Sequence, residues 1–317
     1  MVRFPEVPSP MPPLLAAAIS ADPGMGGLPV FLALVAAAAF AGGSSVSFLA
    51  LGHRPMQVLL SLAGGVLLGV GFLHLLPHAA HAIHGGTDAA AMWAIVGFFL
   101  MFLLERVFHG HAHHTADDQA HECGHAHDHH HHAAGSTGNA GRWAWLGAFA
   151  GLALHSLADG AALAASVRAD AAHGGGLLSG LATFLAILFH KPFDAAIIAT
   201  LMIGAGASSR ARTLVNAAYA LVVPLGAVAF LASLRLFGEH RGDVLGIAMA
   251  MAAGAFICIA AADLLPEVQF HSHDRVLLTA SLALGLAIAW GITVLERSSH
   301  AHAVHARAAA APAPQQP

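Results

Sequence analysis

Charge is what this 317-residue chain has least of: Asp, Glu, Lys and Arg together make up 9% of it, against roughly 25% in a soluble domain. So few charges cannot coat a water-facing surface, which excludes an ordinary soluble globule and makes lipid the simpler solvent. Positive charge is not in excess either. The formal net charge is -4, so no basic face recommends nucleic acid as a partner. Only two cysteines occur, Cys123 in a His-rich stretch and Cys258 in an apolar run. That placement excludes a disulfide framework and leaves the redox compartment unread. The N-terminal MVRFPEVPSPMPPLL carries one arginine and a weak apolar stretch; it lacks the charged region, apolar core and cleavage site of a signal peptide.

What the chain does have is apolar length, with 57% hydrophobic residues. A spanning helix needs about 20 mostly apolar residues. Eight stretches qualify: 29–51, 56–79, 89–108, 142–167, 177–204, 213–236, 243–266 and 276–295. Lipid tolerates only backbones that satisfy their own hydrogen bonds, so the expected fold class is an all-α integral membrane protein with eight transmembrane helices. The expected layout is a flexible N-terminal segment (1–28), helices one to three (29–108), a His-rich disordered loop (109–141), helices four to eight (142–295) and a disordered tail (296–317). Lys and Arg in the breaks divide evenly between the two sides, so the positive-inside rule does not orient the bundle.

An internal repeat says more. Helix two reads Gly65, eight residues, then His74-Leu75-Leu76-Pro77-His78, and helix seven reads Gly254, eight residues, then Asp263-Leu264-Leu265-Pro266-Glu267. An odd number of crossings separates the two, so they run in opposite directions. The repeat is therefore inverted, helices one to three being mirrored by six to eight around helices four and five. Inverted repeats around a midplane site are typical of transporters.

Charged groups in mid-bilayer are costly and point to function. Helix four contains His155-Ser156-Leu157-Ala158-Asp159-Gly160, and helix five contains His190-Lys191-Pro192-Phe193-Asp194. Each His–Asp pair is spaced i, i+4 and so stacks on one helical face. Both histidines fall thirteen residues into their stretches, near the bilayer centre, and consecutive antiparallel helices let the midpoints meet. Two imidazoles and two carboxylates form a four-ligand shell suited to Zn²⁺. Fe²⁺, Mn²⁺, Co²⁺ and Cd²⁺ also accept mixed N/O ligation, whereas no thiol is at hand for Cu(I). The metal is read as transported substrate, with no organic cofactor. For a single pair, a metal-free His–Asp contact that glues helices or relays protons would be the plainer reading; two pairs at matched depth favour a metal. Lys191 at this depth cannot snorkel. It must pair with Asp159 or Asp194, or lie in a wet cavity, standing where a second metal would bind or merely balancing carboxylate charge.

Helix two ends in a ladder, His74, His78, His81 and His84, and helix seven ends with Asp263 and Glu267 on the opposite side. These read as polar linings of an entrance and an exit, or as ordinary interfacial capping. The segment 109–132 holds eleven histidines, a local metal buffer or sensor, or a solvated tract with incidental affinity.

At these residues the chain resembles the ZIP (Zrt/Irt-like) family of divalent metal transporters, over roughly 29–295. HSLADG on helix four is similar to the family's HNxx(D/E)G motif, HKPFD lies where its fifth-helix motif belongs, and GFLHLLPHA and AADLLPE resemble family segments of helices two and seven. The resemblance implies uptake of metal into the cytoplasm. It implies His155, Asp159, His190 and Asp194 as the transport site; Ser156 and Lys191 adjoin it in sequence, and His74, His78, His81, Asp263 and Glu267 are the entrance and exit linings read above. It also places the His-rich loop in the cytoplasm; the alanine-rich composition points to a bacterial origin, and so to a multi-pass protein of a bacterial inner membrane. Ser156 replaces an Asn, Lys191 a carboxylate and His78 a Glu common in the family. These departures favour a one-metal site.

Other readings remain open on sequence alone. A cation-diffusion-facilitator-like exporter also uses paired HxxxD motifs, but has six spans and a soluble C-terminal domain. An intramembrane zinc hydrolase would need an open water position and a general base, and the chain has no HExxH; no enzyme is expected. A metal-sensing receptor would bind metal without flux. Oligomeric state, a homodimer included, is left open.

Overall fold

A computed structural model describes residues 25–46, 53–109, 139–172, 178–264 and 275–310. Eight helices among them are long and apolar enough to cross a bilayer: α1 (Leu28–Ser45), α2 (Arg54–Ala82), α3 (Gly86–Val107), α4 (Trp145–Ala172), α5 (Leu181–Gly204), α6 (Ser209–Leu236), α7 (Gly238–Ala262) and α8 (Arg275–Glu296). No strand occurs among the described residues, as the all-α reading requires. The His-rich loop beyond His109, the N-terminal segment before Met25, the side chain of Asp263 and all of Glu267 lie outside the described residues. The backbone of the last helix continues to Ala310, into the stretch read from sequence as a disordered tail. Alanine is the strongest helix former, and the run ARAAAA supplies it.

Two four-helix groups make up the molecule. In one, α1 packs along α5, α4 along α6, and α4 meets α5; in the other, α2 packs along α8 and α3 along α7, with α2 and α7 in contact. The groups touch where α4 meets α3 and α7, and where α5 meets α2.

The inverted repeat is visible in this packing. Exchanging α1–α3 with α6–α8 and α4 with α5 converts each tight pair into another: α2·α8 into α7·α3, and α1·α5 into α6·α4. The two glycines aligned in the sequence repeat do the same work. Gly65 leaves no room for a Cβ against the Leu282 carbonyl of α8, and Gly254 leaves none against the Ala94 carbonyl of α3. Small residues let helix backbones approach closely in lipid, where apolar side chains gain nothing by leaving the tails.

Both LLP segments follow a widened turn. α2 is π-helical over Gly71–Leu75, the Leu76 amide reaching back to the Gly71 carbonyl, and α7 is π-helical over Ala260–Leu264. Each turn ends on the first leucine of its LLP. Proline offers no amide and crowds the carbonyl four residues back; widening by one residue absorbs that conflict in α2. Such bulges are frequent at functional sites, and these two hold His74 and Asp263 at repeat-equivalent positions. In α6, the break at Leu221 precedes Pro224 by three residues and ends the first half of the helix just after Tyr219.

Candidate metal centre

The centre forms where α4 and α5 cross. His155 and Asp159 stand one turn apart on α4, and His190 and Asp194 one turn apart on α5. His155 Nε2 lies 3.3 Å from His190 Nε2 and 3.3 Å from Asp159 Oδ2, and His190 Nε2 lies 3.4 Å from the same oxygen. The three atoms make a nearly equilateral triangle. Metal–ligand bonds of about 2.1 Å at tetrahedral angles hold ligand atoms about 3.4 Å apart, so the spacing is that of three ligands around one ion. Asp194 is the outlying member, with Oδ2 3.9 Å from His155 Nε2.

Second contacts fix these groups. His190 Nδ1 donates to the Ala186 carbonyl at 2.8 Å, which keeps the ring proton there and leaves the Nε2 lone pair facing the centre. Lys191 is fully buried; its ammonium donates to Asp159 Oδ2 at 2.6 Å and to Asp194 Oδ2 at 2.9 Å. Of the two sequence expectations for Lys191, pairing with Asp159 and pairing with Asp194, both hold at once. Tyr219 of α6 donates to Asp194 Oδ2 at 3.2 Å, and its hydroxyl is 3.0 Å from that of Ser156. Phe256 of α7 closes the far side, its ring edge-on to His190. His155, Asp159 and His190 are buried, while the Asp194 side chain keeps 15% exposure. Pro192 sits under Gly42 of α1, whose missing side chain admits the proline backbone. Pro192 is thus a packing surface for α1.

The helix-two ladder grades from inside to outside. His74 is fully buried, His78 half-buried, and His81 and His84 exposed. His84 ends against Asp243 of α7 at 2.8 Å. His74 and His78 join Asp170 of α4 and Glu296 of α8 in a second polar cluster.

A family model described as ZIP Zinc transporter matches residues 25–296, all eight helices included. The chain belongs to the ZIP family. It is accordingly a multi-pass integral membrane protein of a family that moves metal ions across membranes, and that family is one of transporters, not enzymes. Among the described residues of this ZIP protein, largely buried His/Asp groups of a kind that can hold a metal ion occur twice, His155–Asp159–His190 and His74–His78–Asp170.

Sequence reasoning missed Tyr219, Asp170 and Glu296. Tyr219 carried a signal, being the only tyrosine in the chain and lying inside a spanning stretch. Asp170 and Glu296 fell one to three residues beyond stretches drawn to end at 167 and 295.

Proposed function

We propose that this ZIP protein takes up a divalent transition metal, Zn²⁺ foremost, into the cytoplasm by alternating access through one ion site made by His155, Asp159, His190 and Asp194. The observation that carries the reading is the triangle of Nε2, Nε2 and Oδ2 atoms at ligand–ligand spacing, buried at mid-helix. Two neutral imidazoles and two carboxylates suit Zn²⁺ best, with Fe²⁺, Mn²⁺, Co²⁺ and Cd²⁺ as competitors.

Lys191 sets the charge. Two carboxylates and one ammonium sum to -1 (-2 + 1), so an arriving divalent ion meets attraction without the deep well that two free carboxylates would dig. That favours one metal over two, because the ammonium already occupies the carboxylate face a second ion would need. It also favours release, which a carrier needs as much as capture. Ser156 and Tyr219 hold Asp194 at the margin of the site, ready to close on the ion or let it go. Metal is collected along His74, His78, His81 and His84 and leaves past Asp263 and Glu267 toward the His-rich loop. The chain lies in a bacterial inner membrane with that loop in the cytoplasm. The quartet belongs to a single chain, so the mechanism runs alike in a monomer or a homodimer. Protons compete with metal for His and Asp, so uptake falls as the outside is acidified.

The test is radiotracer Zn²⁺ flux into proteoliposomes. Saturable uptake in the wild type and none in His155→Ala plus His190→Ala is the expected result; flux that survives both substitutions rejects the reading.

A further inference from the structure

The cluster at the ends of α2, α4 and α8 is built like a second ligand set. His78 Nδ1 donates to the His74 carbonyl at 2.7 Å. On His74, Nδ1 faces Glu296 Oε2 at 2.9 Å. His78 thus carries its proton on Nδ1, His74 sets its Nδ1 against a carboxylate oxygen, and both rings turn Nε2 toward one carboxylate, Asp170. A carboxylate or carbonyl behind a histidine is the usual support of a metal-ligating imidazole. The Nε2 atoms stand 3.9 Å (His74) and 3.4 Å (His78) from Asp170 oxygens. Both are long for N–H···O bonds; the His78 distance matches the edge of about 3.4 Å between ligands on one tetrahedral ion, and His74 stands slightly outside it, as Asp194 does in the quartet. All three donor atoms lie within 4.8 Å of one another.

The surroundings are ordered for the task. Asp170 is anchored by the Gly180 amide at 2.7 Å, at the N-cap of α5. That glycine has φ +77°, and a Cβ there would strike Val167. Ser166 Oγ, 3.1 Å from His74 Nε2, accepts a hydrogen bond from Thr183. His74 and Asp170 are shut away from solvent while His78 keeps 24% exposure, so the ladder's exposed histidines lead inward to this point. Eleven residues of helix separate Asp159 from Asp170, a rise of about 16 Å, and the fully buried Leu163 and Ile187 lie between. The cluster is therefore not an extension of the quartet.

We propose that His74, His78 and Asp170 form a second site for a Zn²⁺-class divalent ion, with a water as fourth ligand and Glu296 as the positioning residue behind His74. Its ligands come from both helix groups, His74 and His78 from the α2/α8 side and Asp170 from α4. A bound ion ties the two groups together at this end of the molecule, whereas the quartet lies wholly within one group. The site stands independently of the transport reading.

Co²⁺ and radiotracer Zn²⁺ binding to the full-length chain carrying His155→Ala and His190→Ala tests it. That background removes the quartet and leaves the His-rich loop as a constant contribution in every variant. One equivalent of binding is expected to disappear on adding Asp170→Asn, and to weaken by at least tenfold on adding His78→Ala, whose half-exposed side chain spares the fold. Glu296→Gln is expected to weaken it by about 10–100-fold. Zinc is further expected to slow hydrogen exchange around His74–His78 of α2 and Asp170 of α4 in the quartet-free chain, and not in its Asp170→Asn derivative. Unchanged binding in both Asp170→Asn and His78→Ala overturns the proposal and makes the cluster a metal-free helix contact. That outcome leaves the transport reading untouched, whereas Zn²⁺ flux that survives His155→Ala plus His190→Ala with this binding intact rejects the transport reading alone.

Discussion

The quartet and the His74 cluster use the same chemistry in opposite ways. The quartet draws its side chains from two consecutive helices that pack in one group, each helix supplying a His and an Asp one turn apart. The other cluster draws on α2, α4 and α8, spread across the chain and across both helix groups. A site inside one group keeps its ligands together when the groups shift, which suits cargo. A site split between groups keeps its ligands together only in one arrangement, which suits a latch.

That contrast can be broken by substitution. The largest effect is expected from Asp159→Ala. It removes the oxygen shared by both imidazoles and leaves the Lys191 ammonium with Asp194 as its one carboxylate, so Zn²⁺ flux disappears and unfolding becomes easier by about 1–3 kcal/mol, the cost of a lost charge-assisted hydrogen bond. Thermal unfolding in detergent, beside proteoliposome flux, reads both. A chain with full flux and unchanged melting would mean that Asp159 is not the hub.

Lys191→Met is expected to destabilise the metal-free chain through the two carboxylates left facing each other, and to make it bind Zn²⁺ at least tenfold more tightly, about 1.4 kcal/mol. Zinc should then raise its melting temperature more than it raises that of the wild type, while turnover slows because the ion leaves reluctantly. Equal zinc shifts in the two proteins would remove the ammonium from the account. Tyr219→Phe is milder. It deletes one hydrogen bond to Asp194, and a loss of about tenfold in apparent affinity is expected from transport kinetics, with saturating flux nearly kept. The smallest change belongs to the periphery. Asp243→Asn cuts the exposed His84–Asp243 contact, and exposed ion pairs contribute little, so its melting curve should shift less than that of Tyr219→Phe.

The same contrast explains what could be read from sequence. The quartet was legible because i, i+4 spacing is a local property, and two short motifs at equal depth announce a shared centre. The eight spans, and the repeat carried by Gly65 and Gly254, were legible because hydropathy and glycine placement are local too. Asp170 and Glu296 were not. A charge at the end of an apolar run lowers the local hydropathy and is taken as the boundary, so a buried acid at a helix end looks like the edge of the membrane. Tyr219 was hidden for another reason: only the packing of α6 against α4 and α5 turns its hydroxyl to Asp194. The π-helical turns at Gly71–Leu75 and Ala260–Leu264 left only the LLP prolines as a trace, and proline alone does not reveal whether a helix will kink, break or widen.

The measurement that bears most directly on the quartet as the cargo site is the initial rate of Zn²⁺ uptake by His190→Gln in proteoliposomes, against the wild type across a range of Zn²⁺ concentrations. Glutamine keeps a neutral polar side chain of similar reach and leaves Lys191 paired with both aspartates, but it removes the Nε2 lone pair. The account expects saturable wild-type uptake to drop by more than about 100-fold in the variant, beyond the 10–100-fold typical of supporting residues. Uptake with the same maximal rate and half-saturation in both proteins would contradict it.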